Sequence, residues 1–166
     1  MVITPPVWAG VNDDRFDGNI FALYAGNGSL VPARVTLAQS RLKSRPALLV
    51  YFLDDSKDCK QFVDTISQLQ RYYGATADFI PVNVDTLALE KVDNPNEAGY
   101  YYSGYVPQTV VIDGSGEVVL DEVGQVSYEA IDDVMREVFD LLPRSESVEL
   151  KRRAFNEFNS ELVPSE

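Results

Sequence analysis

Residues 47–73 read ALLVYFLDDSKDCKQFVDTISQLQRYY, and the rest of the chain is organised around them. Ala47 to Leu53 is an unbroken apolar run, the pattern of a central strand covered on both faces. The acidic pair Asp54-Asp55 then makes a turn, and Ser56 or Asp55 is placed to cap a helix. On that helix Cys59, Phe62, Val63, Ile66, Leu69 and Tyr73 recur at steps of three and four, giving one core-facing stripe. Gly74 is positioned to end it. The chain's single cysteine, Cys59, therefore sits in the first turn of a helix that follows a buried strand.

Composition narrows what this arrangement can do. The chain has 166 residues, enough for one domain plus extensions, and its 45% hydrophobic content is that of a folded protein. It has no histidine, which removes the commonest general base and metal ligand. One cysteine can form neither an internal disulfide nor a structural zinc site, and Ser-His-Asp and Cys-His hydrolases are excluded as usually built. A net charge of −12 opposes binding to the phosphate backbone of nucleic acids. No run is long and apolar enough to span a bilayer. The opening MVITPPVWAG is apolar and uncharged, and Val7-Trp8-Ala9 ends in the small-residue pattern of a signal-peptidase site. Residues 1–12 are expected to be either a flexible N-terminus or the remnant of a signal or anchor segment.

Around the central stretch, NIFALYAGNGSLVPARVTL (residues 19–37) suggests a hairpin, with Asn27-Gly28 as its turn and Pro32 marking a short or edge second strand. LAQSRLKSR is a short polar helix candidate. ADFIPVNV (77–84) is a second strand, with Pro81 near an edge or bulge. A long connection follows, with helical turns expected at Leu87 to Val92, a loop at Asn94-Pro95-Asn96, and Tyr100, Tyr101, Tyr102 and Tyr105 at its end; a connection of this length usually has a function or is mobile. QTVVID (108–113) and EVVLDE (117–122) form a hairpin across Gly114-Ser115-Gly116. Ser127 can cap a final helix whose apolar positions include Ile131, Val134, Met135 and Val138. From Pro143 onward, Lys151-Arg152-Arg153 with Phe155, Phe158 and Leu162 predicts a C-terminal amphipathic helical extension over 143–166, packed on the domain or free to dock on a partner or membrane surface.

Strand, thiol-bearing helix, strand, long crossover, hairpin and final helix is the order of the thioredoxin fold: α/β, a central mixed sheet flanked by helices, here over 13–142. LLVYFL-DDSKDCKQF resembles the thioredoxin strand and active-site helix. The resemblance puts Ser56-Lys57-Asp58-Cys59 on the CxxC positions and makes Val106-Pro107 the counterpart of the family's cis-proline. It also implies departures. Ser56 replaces the attacking cysteine, Asp55 the preceding tryptophan, and Tyr51 the buried aspartate that assists the second thiol. A serine hydroxyl forms no mixed disulfide, so dithiol exchange lacks its reagent. Four longer strings, DGNIFALYAGNGSLVPARVTLAQS, DDSKDCKQF, GYYYSGYVPQTVVID and LLPRSESVELKRRAFNEFNSEL, resemble the cyanobacterial thylakoid membrane photosystem I accumulation factor family. That resemblance covers most of the chain from about Asp13. It implies an accessory protein of photosynthesis, thylakoid-associated and either membrane-bound or lumenal, with the stromal side left open.

What remains is to weigh the chemistry. Cys59 is either a packed apolar thiol or a single redox thiol. The helix N-terminus, Lys57 and Lys60 would favour its thiolate, while Asp54, Asp55 and Asp58 oppose it. The acidic cluster lacks a calcium-loop pattern, and helix capping accounts for it more simply than a metal does. No catalytic residue, cofactor or metal site is expected, and Cys59 with its degenerate partner Ser56 is the only redox candidate. The candidate binding face comprises Asp55, Ser56, Lys57, Cys59, Tyr102, Tyr105, Val106 and Pro107, with tyrosines suited to partner contact. The expected function is a non-enzymatic factor that binds photosystem I subunits, or other maturation factors, through the old substrate groove. The alternatives are a single-thiol redox protein acting on clients through Cys59, and a periplasmic or lumenal chaperone without photosystem specificity.

Overall fold

A strand without a solvent-facing residue needs cover on both sides, and β1 (Ala47–Phe52) is buried at all six positions. The computed structural model, which describes residues 10–16, 18–87 and 92–141, places β1 inside a four-stranded sheet. Its neighbours are β2 (Asp78–Asn83), parallel, and β3 (Gln108–Ile112), antiparallel. Outside β3 runs β4 (Val118–Val123), antiparallel, so the order is β2-β1-β3-β4. This mixed sheet, flanked by helices, is the thioredoxin-like fold that the order of elements predicts. Pro81 lies in β2, an edge strand, where a missing N–H is tolerated.

Side chains alternate across a strand, and β1 uses both faces. Leu49 and Tyr51 join Leu37, Ile80, Val82, Val110 and Ile112 in one buried cluster. On the opposite face Phe52 meets Phe21 edge to face, with ring centroids 5.1 Å apart. The helix α3 (Lys57–Tyr73) buries every member of its expected stripe: Cys59, Phe62, Val63, Ile66, Leu69 and Tyr73. Gly74 ends it, donating its N–H to the Gln70 carbonyl.

The expected N-terminal hairpin is not formed. Residues Ile20–Ala25 are instead a helix, α1, capped by the Asn19 side chain, which accepts from the Phe21 N–H at 3.0 Å. Ile20, Phe21 and Ala25 are buried while Leu23 is exposed, a helical rather than an alternating pattern. Gly26 closes α1 in the left-handed region at φ 61°, where a side chain would be strained. Asn27 makes no hairpin turn: its Nδ2 donates to Ser67 Oγ and Gln70 Oε1, both at 3.2 Å, pinning the end of α1 against α3. Pro32 belongs to no strand. The expected polar helix is α2 (Leu37–Leu42), opened by a reciprocal cap between Thr36 and Gln39.

The long connection from β2 to β3 carries two 3-10 turns, Val84–Thr86 and Ala98–Tyr101. The helical turns expected at 87–92 fall mostly on residues 88–91, outside the described residues. The β3–β4 hairpin forms as predicted, its turn held by Asp113 Oδ1 accepting from the N–H groups of Ser115 and Glu117.

The chain divides into two compact units, Met1–Tyr128 and Glu129–Glu166. The second unit contains nearly all of α4 (Tyr128–Val138), in which Ile131 and Met135 are buried and Arg136 pairs one turn back with Asp132 at 2.8 Å. The amphipathic extension expected over 143–166 lies outside the described residues, as do residues 1–9.

The contrast between β1 and β4 can be measured. Leu49 is fully buried and Val118 is 40% exposed on the outer strand. Leu49→Ala should cost about 3–5 kcal/mol in urea unfolding, and Val118→Ala no more than about 0.5 kcal/mol. Equal costs would contradict the assignment of β1 as the central strand.

Candidate functional site

The loops after β1 and β2 and the loop before β3 meet at one end of the sheet, because Phe52 pairs with Asn83 and Tyr51 with Gln108. Three features of the sequence converge there: the start of α3, the tyrosine loop and Pro107.

Ser56 is the N-cap of α3, and its Oγ accepts from the Cys59 N–H at 3.3 Å. The hydroxyl at the first CxxC position therefore serves the helix backbone. Cys59 is a free thiol and only 1% exposed. Burial, the largest influence, pushes its pKa above the ordinary value. The Ser56 hydrogen bond and a backbone hydrogen bond from Leu53 pull it down, and the charges of Asp58 and Asp54 push it up again; burial prevails. The expected support from lysines is not realised. Lys57 is exposed, and Lys60 turns the other way: its buried ammonium donates to the Gly10 carbonyl, Asp13 Oδ1 and the Arg15 carbonyl.

The segment 10–16 thereby lies along the outer side of α3. Asp14 Oδ1 accepts from the Lys57 N–H at 2.7 Å, a second cap on the helix, and Gln61 Nε2 donates to the Val11 carbonyl and Asn12 Oδ1. The acidic cluster is divided among separate tasks rather than converging. Asp54 accepts from the Ile20 N–H and the Asn83 side chain, Asp58 accepts from Gln125, and Asp55 is exposed. Among the described residues no group of three or more such side chains is arranged to hold a metal.

Val106-Pro107 is cis, as the resemblance implies, and Pro107 is buried. Its carbonyl accepts from the Gly124 N–H at 2.8 Å. Among the described residues the backbone N–H and C=O of Val106 have no hydrogen-bond partner. Tyr102 stacks on Tyr51 with centroids 5.5 Å apart, and its phenol is raised by burial and then by the charge at Cys59, which places it within electrostatic reach of the thiol. Tyr51 stands at the position that the resemblance gives to the assisting aspartate. Its hydroxyl donates to the Ala98 carbonyl at 2.5 Å, and burial, then Asp121 and Tyr101, push its pKa up. Tyr105 is 69% exposed and Tyr100 47%.

Of the eight candidate binding residues, Ser56, Cys59 and Tyr102 are thus brought together, Val106 and Pro107 enter the same end of the sheet, and Asp55, Lys57 and Tyr105 form its exposed rim. Sequence reasoning missed Gln108, which is fully buried: its Oε1 accepts from the Ser103 N–H, and its Nε2 donates to the Tyr101 carbonyl and Asp121. A glutamine inside an apolar strand was the available signal, since a buried amide requires partners. Gln125, which ties the loop after β4 to Asp58 and Gln61, and Asp14 carry no local signal, because both bonds join residues distant in sequence.

The Thioredoxin-like domain family matches residues 33–139. The chain is 57% identical over 155 residues to the thylakoid membrane protein slr1796 of Synechocystis sp. (strain ATCC 27184 / PCC 6803 / Kazusa), covering 93% of this chain and 77% of that one. Among solved structures it is similar to Deadhead, a germline-specific thioredoxin of Drosophila melanogaster (16% identity, TM-score 0.47), and to Fasciola hepatica thioredoxin (19% identity, TM-score 0.47). Each covers 60% of this chain and 89% of its own length. With the family match spanning most of the chain over the sheet and its central helix, this protein belongs to the Thioredoxin-like domain family.

Proposed function

We propose that this chain is a non-catalytic accessory factor of the thylakoid that acts by binding protein and supports the accumulation of photosystem I. One observation carries the non-catalytic part: Cys59 is 1% exposed and held as a neutral thiol, with the Ser56 hydroxyl committed to its backbone. Disulfide exchange begins with an accessible thiolate, and neither the thiol nor the hydroxyl provides one. The binding part is supported by what remains open. An extended peptide laid beside Pro107 can pair with the Val106 backbone and contact Tyr105, a mode in which main-chain hydrogen bonds supply affinity. The photosystem I part rests on the resemblance of the four long strings. The thylakoid setting rests on the 57% identical relative, itself a thylakoid membrane protein. No helix among the described residues is long and apolar enough to cross a membrane. Photosystem I subunits or other maturation factors are the partners this reading requires.

The competing reading, a redox protein acting through Cys59, is separated by substitution. Cys59→Ser and Cys59→Ala should leave photosystem I at the wild-type level in cells, measured by its absorbance and subunit content. Tyr105→Ala, which removes an exposed anchor, should weaken partner binding by about 30-fold and lower photosystem I. Loss of photosystem I in both Cys59 variants, at normal protein levels, would establish the redox reading instead.

The thiol also predicts a pH dependence of stability. Its folded pKa lies above the ordinary value of 9.0, so the neutral thiol's contribution is complete below the unfolded pKa and is lost as pH rises through the folded one. Between about pH 8.5 and about pH 10, urea unfolding of the wild type should lose stability more steeply than that of Cys59→Ala. Parallel profiles would show that the thiol titrates as it does in water.

A further inference from the structure

A cleft of about 150 Å³ opens in the first unit between the end of α3, the start of β2 and the segment 29–35. Ala47 pairs with Asp78 and Phe52 with Asn83, so this cleft and the Pro107 site lie at opposite ends of β2. Leu30, Val35 and Phe79 give the cleft an apolar wall, and Arg34, Gln70 and Asp78 line it too. Each of these three polar side chains keeps hydrogen-bonding capacity that the described residues do not use. Asp78 Oδ1 accepts from Arg45 Nε at 3.0 Å, while Oδ2 is buried and has no hydrogen-bond partner among the described residues. Buried polar atoms are normally paired, so Oδ2 is an acceptor for which the described chain supplies no donor. Arg34 is exposed and makes no hydrogen bond or ion pair with a described residue. Gln70 Oε1 accepts from Asn27, which fixes the direction of the amide and leaves Nε2 as a donor without an acceptor among the described residues.

We infer that this cleft binds a small free α-amino acid with an aliphatic side chain. The carboxylate accepts from the Arg34 guanidinium and Gln70 Nε2, a charge-assisted pairing. The ammonium donates to Asp78 Oδ2, which reaches it by rotation about the last torsion of the side chain, a soft one. The aliphatic group lies on Leu30, Val35 and Phe79. Two guanidinium groups, Arg34 and Arg45, stand against the one carboxylate of Asp78, so a simple cation gains little here. A simple carboxylate would answer Arg34 and leave Oδ2 unpaired, which is costly for a buried acceptor. A ligand with both charges on neighbouring atoms satisfies both ends. Size sets the other limit: a cavity near this volume admits a molecule of roughly six to eight heavy atoms, one small amino acid rather than a peptide. The inference is independent of the photosystem reading, which concerns the other end of β2.

The test is an NMR titration of the full chain with three probes: L-valine, L-valinamide, which lacks the carboxylate, and 3-methylbutanoate, which lacks the ammonium. L-valine should shift the backbone amide signals of Leu30, Val35 and Phe79 saturably, with a Kd of about 1 mM or below. The other two probes should bind at least about tenfold more weakly. Arg34→Gln, at an exposed side chain, should weaken L-valine about tenfold. Lys43→Gln, which removes an exposed base outside the cleft, should leave it within about twofold. Asp78→Asn keeps an acceptor for Arg45 and should weaken L-valine while leaving 3-methylbutanoate unchanged. No saturable shift with L-valine, equal binding of the three probes, equal effects of Arg34→Gln and Lys43→Gln, or wild-type binding of L-valine by Asp78→Asn would each overturn the inference.

Discussion

The fold depends on β1 being buried on both faces, since this fixes where α3 must begin. The chain leaves Phe52, turns through Asp54 and Asp55, and starts a helix that has to lie back across the sheet. Residue 59 then falls on the inward stripe shared with Phe62, Val63 and Ile66. In a thioredoxin-like protein this turn is the reactive centre. Here the same geometry presents a cap and a packed sulfur: Ser56 satisfies the Cys59 N–H, worth about 1 kcal/mol as a helix cap, and Cys59 fills the core as a small apolar side chain. Both residues contribute to the stability of the turn.

Other contacts at the turn reinforce it. Asp14 caps the Lys57 N–H, Lys60 is drawn to the carbonyls of the 10–16 segment, and Gln125 bridges Asp58 and Gln61 from the loop after β4. Each ties a group of the first turns of α3 to a distant part of the chain. Exposed groups of the site lie on the loop side. There Gln108 and Tyr51 anchor the tyrosine loop from beneath, while Tyr105 is exposed and the Val106 backbone has no hydrogen-bond partner among the described residues.

Much of this was legible in the residues. The apolar run of β1, the stripe of α3 and the glycine turn of the β3–β4 hairpin are local patterns with a definite period, and they appear where expected. The resemblance located the cis bond before Pro107. The N-terminal hairpin was misread because Asn27-Gly28 has the chemistry of a two-residue turn; its true role depends on Ser67 and Gln70, forty or more residues later. Asn19 as a cap, with Ile20, Phe21 and Ala25 on one side, was the contrary local signal. At the site, the fate of Lys60 could not be deduced from its proximity to Cys59, since a helical neighbour one residue away points in a different direction.

The central claim is that Cys59 is part of the core and not a reagent. Its most direct test is the rate of Cys59 alkylation by iodoacetamide at about pH 7, followed by mass spectrometry, in the native protein and in urea-unfolded chain. A core thiol reacts only through opening, so the native rate should be slower by on the order of a hundredfold, and it should rise when urea destabilises the fold. A native rate equal to or above that of the unfolded chain would mean an accessible, activated thiolate, and would contradict the account.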